Sequence, residues 1–389
     1  MEPFATRSAR IQPFHVMRLL AEARALEAAG RDIVHMEVGE PDFETPDTVR
    51  AAAHRALDTR SGHYTPALGL PALREAIAAH YRERFDVAVP AERIVVTPGA
   101  SGALQLLFGA LVDRHTRVLL ADPGYPCNRN FAHLFDGEPV AIPVGPDTRF
   151  QLTPDLLDRH WQPGRRHVVL VTTPSNPTGS VLSLDELAAL HAAVRERGGV
   201  LVVDEIYQGL VYEAPSATAL ALGEDLYVLN SFSKYFGMTG WRVGWLVAPA
   251  SAIDVLDRLA QNLYLAAPTL AQWAALAALD EATRPELEAR RDTFRERRDY
   301  LLEALCELGF CIPLVPQGAF YVYADSSRLA DDSAELCRRL LHEAGVAVTP
   351  GLDFGEHAAR CHLRFAYTTS LARLREGVAR MARFVRLVK

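Results

Sequence analysis

Short stretches that are apolar at nearly every position limit the fold of this chain more than any other feature of its sequence. Residues 167–172, 200–204 and 226–230 show no regular alternation of apolar and polar side chains. Such runs are typical of strands in a sheet that is covered on both faces. Because helical stretches such as 101–112 and 184–197 separate the strands, we predict an α/β fold with a mostly parallel sheet sandwiched by helices.

The length of 389 residues indicates two domains, or one large domain with a smaller satellite. After the last strand of the predicted sheet, a long helical region at 270–308 follows, and a break is predicted near Pro285. Shorter elements are predicted after it, namely strands at 319–323, 346–348 and 362–367, a helix at 333–344 and a closing helix at 371–388. We predict a large α/β domain at 45–270 and a smaller α+β domain formed by 1–44 and 271–389.

Composition excludes several classes of protein. The net charge of −7 and the lack of a lysine or arginine block argue against nucleic acid or a membrane surface as a partner. Five cysteines form an odd number without a Cys-x-x-Cys pair, which disfavours a disulfide scaffold or a zinc site. The first residues lack the apolar core of a signal peptide, and no apolar run is long enough to span a bilayer. We therefore predict a soluble cytoplasmic protein without a metal site.

A stretch with a single lysine follows one of the predicted strands and reads SFSKYFGMTGWRVGW. Crowding at a strand end disfavours the charged form of Lys234, and a neutral amine can attack a carbonyl carbon to form a Schiff base. Ser231, Ser233 and Arg242 supply donors suited to a phosphate group. Together they indicate a pyridoxal-phosphate site, and the alternative is a glycine-rich turn with a solvated lysine.

A second anion-binding position is predicted where a strand ends at Thr97 and a helix begins near Ser101. Backbone N–H groups at a helix start attract anions. The hydroxyl of Ser101 either adds a donor or caps the helix, and capping is the more frequent role. The chain has neither GxxxxGK nor GxGxxG after a strand, so ATP-loop and dinucleotide sites lose their main support.

Further polar residues follow predicted strands, and ligands in open α/β sheets bind beyond the carboxyl ends of the strands. Asp204 ends an apolar run and needs a partner, which is either a pyridinium nitrogen or an arginine of the chain. Tyr207 is close enough in sequence to reach the hydroxyl of such a ring. Asn176, between prolines, offers a hydrogen bond, and Tyr125 offers a ring for stacking. The respective alternatives are a structural turn and a core tyrosine.

Arg364 lies in an otherwise largely apolar strand predicted at 362–367. A buried arginine without a partner is costly, so it should face a carboxylate. That carboxylate belongs either to an acidic residue of the chain or to a substrate. Gly39, in a turn-rich segment, would let a substrate approach the backbone closely, and a plain turn explains this glycine equally well.

With Asn176, Asp204, Lys234 and Arg364 in this order, the chain closely resembles the class I and II aminotransferases, which are fold type I pyridoxal-phosphate enzymes. The resemblance extends over nearly the whole chain. It is carried by the motifs SFSKYFGMTGWRVGW, VVDEIYQGLVY, TPSNPTG and GHYTPALGLPALREAI. It implies an aspartate aminotransferase-like fold, pyridoxal 5'-phosphate as the cofactor, and a homodimer with shared active sites.

The resemblance also implies a role for each residue that matches a family motif. Lys234 is expected to form the Schiff base with the cofactor and later to shuttle a proton. Asp204 would pair with the pyridine nitrogen, Asn176 and Tyr207 would hold the ring oxygen, and Tyr125 would stack on the ring. The expected phosphate ligands are Ser231, Ser233, Arg242 and the backbone of Ala100 and Ser101.

Other matching residues imply how substrate and subunits meet. Tyr64 matches the family tyrosine that reaches the phosphate of the neighbouring subunit. Arg364 matches the arginine that binds the substrate α-carboxylate, Gly39 lines that pocket, and the small domain closes over the substrate. Some bacterial aspartate-type members have a lysine at the position of Ser101, so its absence here weakens a strict aspartate preference.

The reaction that the resemblance implies is transfer of an amino group from an L-amino acid to a 2-oxo acid. One alternative is β-elimination by a C–S lyase on the same cofactor, which would release pyruvate and ammonia without an acceptor. Another is a sensor without catalytic activity. Such sensors usually carry an appended DNA-binding module, and few residues precede the first predicted helix.

Overall fold

The computed structural model describes residues 4–60, 62–213 and 217–388, without the side chain of residue 388. The predicted domain ranges also include residues 1–3, 61, 214–216 and 389, which lie outside the described residues. The α-helices are α1 (His15–Ala28), α2 (Asp47–Arg60), α3 (Pro71–Phe85), α4 (Gly99–Leu111), α5 (Pro126–Leu134), α6 (Pro154–His160), α7 (Leu184–Glu196), α8 (Ile253–Leu263), α9 (Thr269–Leu279), α10 (Arg284–Leu308), α11 (Ser333–Arg339) and α12 (Leu371–Val388).

The strands are β1 (Val34–His35), β2 (Ile94–Thr97), β3 (Thr116–Asp122), β4 (Glu138–Pro143), β5 (Arg166–Thr172), β6 (Val200–Asp204), β7 (Tyr227–Ser231), β8 (Gly244–Val247), β9 (Tyr321–Asp325), β10 (Val346–Ala347), β11 (Thr349–Pro350) and β12 (His362–Ala366). Seven of them form one sheet in the order β2-β8-β7-β6-β5-β3-β4. Strand β8 runs antiparallel to both of its neighbours, and the other pairs are parallel. The predicted mostly parallel sheet is confirmed.

Both faces of this sheet are covered, as its continuous apolar strands require. Side chains alternate across a strand, so neighbours in sequence enter different cores. Val168 and Leu170 of β5 share a core with side chains of α4 and α8. Val169 and Val171 of the same strand share the other core with side chains of α3 and α7. Helices therefore pack on both sides, which explains why β5 lacks a polar face.

The register of the strands brings the predicted site residues to one edge of the sheet. Asp204, the last residue of β6, pairs with Thr172 at the end of β5 and with Leu229 of β7. Gly244 at the start of β8 pairs with Ser231 at the end of β7 and with Thr97 at the end of β2. The beginning of α4, which follows β2, is thereby placed beside the segment that follows β7.

A smaller set of strands lies in the C-terminal part of the chain. Strands β11, β12 and β9 form an antiparallel sheet in that order, in which Arg364 pairs with Thr349 and Tyr323. Strand β1 pairs in parallel with β10, so residues near the N-terminus join the C-terminal part of the fold. The exact limits of the two predicted domains stay a prediction.

Most predicted elements are present, and the differences have local causes. The break predicted near Pro285 in the helical region 270–308 is confirmed, since α9 ends at Leu279 and α10 begins at Arg284, with Pro285 in the first turn where proline is tolerated. The strand predicted from residue 319 begins only at Tyr321, because Ala319 has a left-handed φ of 58°. Helices α5, α6 and α8 were not predicted. Helices α5 and α6 have only 9 and 7 residues, too few to show a clear period.

None of the described helices is both long and apolar enough to cross a lipid bilayer.

Candidate active site

Lys234 lies three residues beyond the end of β7, on the segment that returns to β8. Its Nζ atom donates a hydrogen bond to the backbone oxygen of Gly39 at 2.8 Å. Burial lowers the pKa of Lys234 to about 8; the nearby carboxylate of Glu40 opposes this shift, and the positive charges of Arg242 and Arg364 add to it. This environment differs from that of a solvated lysine in a turn, which keeps a pKa near 10.4.

Asp204 is a buried carboxylate at the end of β6, only 4% exposed. Its Oδ1 atom accepts a hydrogen bond from the backbone N–H of Ile206 at 3.0 Å. Burial raises the pKa of Asp204 to about 7, and the Ile206 hydrogen bond opposes this shift. Among the described residues, no arginine, lysine or histidine forms an ion pair with it, so the predicted alternative of an internal arginine finds no support. A cationic ligand group would stabilise this carboxylate.

The start of α4, the end of β7 and Arg242 converge closely. A Cβ atom built on Gly99 would lie 2.4 Å from Nη2 of Arg242, so the guanidinium group rests directly against this glycine. A Cβ atom on Gly244 would lie 2.9 Å from the carbonyl carbon of Gly99, which explains the second glycine. Ser231 donates to the hydroxyl of Ser233 at 2.9 Å. Hydroxyl, guanidinium and helix N–H donors thus surround one position, as an anion site requires.

Ala100 and Ser101 are the second and third residues of α4, and Ala100 is buried. The helix begins at Gly99, earlier than predicted, and its N-cap residue is Pro98, without a side-chain cap. Ser101 therefore lies within the first turn, and the alternative that it caps the helix is wrong. Its backbone N–H is one of the free donors at the helix start.

Arg364 is 4% exposed and is bound mainly by neutral groups. Its Nη1 atom donates to Oδ1 of Asn176 at 3.0 Å, and its Nη2 atom donates to the hydroxyl of Thr349 at 3.3 Å and to the backbone oxygen of Glu37. Its Nε atom is buried, and none of the residues that the structure describes forms a hydrogen bond with it. No acidic side chain of the described residues forms an ion pair with it, so the structure favours a carboxylate that comes from outside the chain.

Two aromatic rings hold the guanidinium group of Arg364. Its carbon lies 4.4 Å from the ring centre of Tyr321 and 4.7 Å from that of Phe354. Such contacts orient an arginine and compensate part of its lost hydration. Asn176, which the sequence left open as a turn residue, is buried and faces this arginine.

Tyr321 connects Arg364 with the residues around Lys234. Its hydroxyl lies 2.9 Å from the hydroxyl of Tyr207. A Cβ atom on Gly39 would lie 1.9 Å from the Tyr321 hydroxyl oxygen, so no side chain fits at position 39. The backbone oxygen of Gly39 is also the acceptor for Lys234. Sequence reasoning missed Tyr321, because a tyrosine within an apolar strand gives no signal that separates it from the core.

A cavity of about 940 Å³ opens beside the cluster. Tyr125 and Asn176 line it, whereas Lys234 and Asp204 do not, and Tyr125 stacks on Phe14 with ring centres 6.3 Å apart. Asn128 also lines the cavity; it is 5% exposed, and its Oδ1 atom has no hydrogen-bond partner. This amide was missed as well, since its role depends on the unpredicted helix α5.

Tyr64 is the predicted residue that the structure does not bring to the cluster. It lies in the loop between α2 and α3 and is 80% exposed. None of the hydrogen bonds of the described residues joins it to the other predicted site residues. The contacts above form one network of side chains and backbone groups, made of Lys234, Gly39, Tyr321, Tyr207, Arg364 and Asn176. The candidate anion site beside it, which we call the cradle, is made of Ser231, Ser233, Arg242 and Gly99.

Comparison with known proteins agrees with this geometry. The family described as aminotransferase class I and II matches residues 31–381. A valine–pyruvate aminotransferase of Mycobacterium tuberculosis is 38% identical over 96% of each chain. An aspartate/prephenate aminotransferase of Thermus thermophilus is 37% identical over 98% of this chain and 99% of its own length.

Solved structures show the same architecture. The aspartate aminotransferase from Thermus thermophilus with maleate superposes with a TM-score of 0.93 at 36% identity, over 98% of this chain and all of that one. The predicted fold, a large α/β domain of the fold type I class with a smaller α+β part, is confirmed in its architecture. The named relatives are aminotransferases, which does not favour the C–S lyase or the sensor. The chain therefore belongs to the class I and II aminotransferase family and is an aminotransferase.

Proposed function

We propose that the residues around Lys234 hold pyridoxal 5'-phosphate and that the enzyme moves an amino group from an L-amino acid to a 2-oxo acid. One observation carries the proposal. A lysine whose pKa is lowered to about 8 follows β7, and the neighbouring strand β6 ends at Asp204, a buried carboxylate that has no cationic partner among the described residues. A ligand with an aldehyde group and a basic ring nitrogen suits both residues, because the aldehyde reacts with the amine of Lys234 and the protonated nitrogen pairs with the carboxylate of Asp204.

The donor set fits each part of this cofactor. Asp204 would accept a hydrogen bond from the protonated ring nitrogen. This nitrogen supplies the positive charge that no described residue offers to the carboxylate. The cradle of Ser231, Ser233, Arg242 and the backbone of Ala100 and Ser101 would hold the phosphate. Tyr207 and Asn176 are proposed for the ring oxygen and Tyr125 for the ring face. When bound, the cofactor supplies an electron-withdrawing ring that stabilises negative charge at the substrate Cα atom.

Lys234 has two proposed tasks. Its lowered pKa leaves a sizeable fraction of neutral amine near pH 8, and this form is the nucleophile for an aldehyde carbon. When its amine is free, the same Nζ atom removes the proton from the substrate Cα and returns it to another carbon, as a general base and acid. The Gly39 backbone oxygen, 2.8 Å away, keeps the amine oriented.

Arg364 would bind the α-carboxylate that amino acids and 2-oxo acids share. Its buried Nε atom has no partner, and Asn176 and Thr349 fix the rest of the guanidinium group. The two relatives are named for valine and pyruvate and for aspartate and prephenate, which are amino acids and 2-oxo acids, and all four carry the carboxylate next to the reacting carbon. The Thermus enzyme solved with maleate, a dicarboxylate, is consistent with a carboxylate-binding site in this fold.

The assembly and the location are further parts of the proposal. We propose a homodimer in which Tyr64 reaches the partner's phosphate site, because its side chain is largely exposed in the single chain.

The residues 1–44 and 271–389 would form a small domain that closes over the substrate against the large domain, residues 45–270. Small-angle scattering with and without a substrate analogue would test this closure. The cytoplasmic location stays a prediction that cell fractionation would test.

Borohydride trapping tests the central proposal. We expect borohydride reduction of the cofactor-loaded protein to leave a phosphopyridoxyl group on Lys234, measured by peptide mass spectrometry. Residue 389 is the only other lysine of the sequence and provides an internal control. General acid–base catalysis alone typically contributes about 10²–10⁴-fold to a rate. Lys234→Ala should lower turnover by a larger factor, because it also removes the nucleophile. An unmodified Lys234 would contradict the proposal.

The pKa of Lys234 predicts a pH dependence that needs no cofactor. Only the neutral amine reacts in reductive methylation, so the modification of Lys234 in the cofactor-free protein should rise with pH and reach half its maximum near the pKa of about 8. An exposed lysine should reach this point only near pH 10.4. Mass spectrometry of the peptide at each pH measures the extent, and half-modification near pH 10 would show that the amine is not desolvated.

Asp204→Asn should reduce turnover by about 10–100-fold while the protein stays folded, because a neutral amide does not keep a ring nitrogen protonated. Glu205→Gln is the matched control. Glu205 is equally buried but already accepts hydrogen bonds from the hydroxyl of Thr218 and the backbone N–H of Ala219. The control should lose stability rather than turnover, as shown by denaturant unfolding and initial rates. Equal losses of turnover in both variants would argue against the assigned role of Asp204.

Tyr64→Phe tests the shared site. If Tyr64 donates to the partner's phosphate, its loss should weaken cofactor binding by about 1.5–3 kcal/mol, the usual contribution of a hydrogen bond to a charged group. Tyr300→Phe serves as the control, since its ring contacts Arg375 without a hydrogen bond. Cofactor titration gives the affinities, and analytical ultracentrifugation gives the mass. A monomer with wild-type cofactor affinity in Tyr64→Phe would refute the shared site.

A further inference from the structure

Asp122 is a buried acidic residue to which neither the sequence motifs nor the proposed mechanism assigns a role. It ends β3, is 6% exposed, and forms no ion pair with a described residue. Both of its carboxylate oxygens lie 3.1 Å from the backbone N–H of Glu356, and Oδ2 also accepts from the backbone N–H of His357 at 3.3 Å. The negative charge is thus bound by backbone donors of one distant segment.

That segment lies directly on the end of β3. A Cβ atom on Gly355 would lie 1.7 Å from Oδ1 of Asp122, so only glycine permits this approach. The backbone N–H of Gly124 donates to the backbone oxygen of Phe354 at 2.9 Å, which adds a second attachment. We call residues 353–357 the clamp segment.

The clamp segment also contacts Arg364. The ring centre of Phe354 lies 4.7 Å from the guanidinium carbon of this arginine, whose Nε atom has no hydrogen-bond partner among the described residues. Asp353, at the other end of the segment, accepts hydrogen bonds from the backbone N–H groups of His15 at 2.9 Å and Val16 at 3.2 Å. The segment therefore joins the end of β3, the carboxylate-binding arginine and the beginning of α1.

We propose that Asp122 is a positioning residue for substrate carboxylate binding: it holds the clamp segment so that Phe354 orients Arg364. This inference rests on the proposed role of Arg364. Hydrogen bonds to a charged acceptor are about twice as strong as neutral ones, so two backbone N–H donors on one carboxylate, one of them shared between both oxygens, fix the segment firmly. An amide at position 122 keeps the shape of the side chain but replaces one acceptor with a donor that faces backbone N–H groups.

Two variants displace the clamp segment by different means. Asp122→Asn weakens its attachment, and Gly355→Ala forces it away by collision, so the second variant still tests the inference if the first does not fold. Asp113→Asn is the matched control. Asp113 lies before the other end of β3 and accepts hydrogen bonds from the backbone N–H of His115 and the hydroxyl of Thr116, far along the strand from the clamp. Arg364→Lys tests the proposed role of the arginine itself.

The measurement compares substrates with and without the α-carboxylate. The donor is whichever of L-valine and L-aspartate the wild-type enzyme converts faster, and the comparison amine is isobutylamine or β-alanine, which lack that carboxylate. Single-turnover rates of the half-reaction with each amine, and KM for the amino acid and for pyruvate, are recorded for every variant. Cofactor affinity is titrated separately.

We expect Asp122→Asn and Gly355→Ala to raise KM for the amino acid and for pyruvate by about 10-fold, the scale of losing one hydrogen bond to a charged group. Both should reduce the preference for the amino acid over its carboxylate-free amine, with cofactor affinity and the Asp113→Asn control unchanged. A folded Asp122→Asn protein with wild-type preference, or with equal losses for both amines, would overturn the inference. If Arg364→Lys also leaves the preference unchanged, the proposed carboxylate site itself fails. If only Arg364→Lys lowers it, the inference alone fails.

Discussion

The removal of water from two ionisable groups is the constraint on which the site depends. Lys234 and Asp204 have pKa values displaced in opposite directions, to about 8 and about 7, and in both cases burial is the largest cause. Burial disfavours the charged form of either group. The sheet and the helices that cover it create this environment, because the residues beyond its carboxyl edge are enclosed by other parts of the chain. A bound group that offers a ring cation to Asp204 and an aldehyde to Lys234 would use both.

The second requirement of the site is that side chains approach the backbone of distant segments closely, and glycine permits this approach at several positions. At Gly39 the Tyr321 hydroxyl occupies the space of a side chain, and at Gly99 the Arg242 guanidinium does so. Gly355 stands in the same relation to Asp122. Each contact joins segments far apart in sequence, so these glycines are needed for packing between segments rather than for local turns alone. Arg364 and Lys234 are thereby placed in one network.

The sequence predicted much of this architecture because its signals are local. Continuous apolar runs such as 167–172 revealed a covered sheet, and the capping box of Ser183 and Glu186 marked the start of α7, where both reciprocal hydrogen bonds are present. Lys234, Asp204, Asn176 and Arg364 were all identified from their positions at or near strands. Short helices were missed, since α5 and α6 contain too few residues to show a period, and with α5 the amide of Asn128 was missed.

The sequence by itself determined the fold class, the family and the residues proposed for the site, because strand pattern and motif chemistry are properties of neighbouring residues. Only the tertiary structure decided which partners those residues have. It showed that Arg364 contacts Tyr321 and Phe354, that no described cation pairs with Asp204, and that Asp122 accepts hydrogen bonds from the backbone N–H groups of Glu356 and His357. The reason is physical: desolvation and close packing arise from chain segments hundreds of residues apart, and no local pattern encodes them.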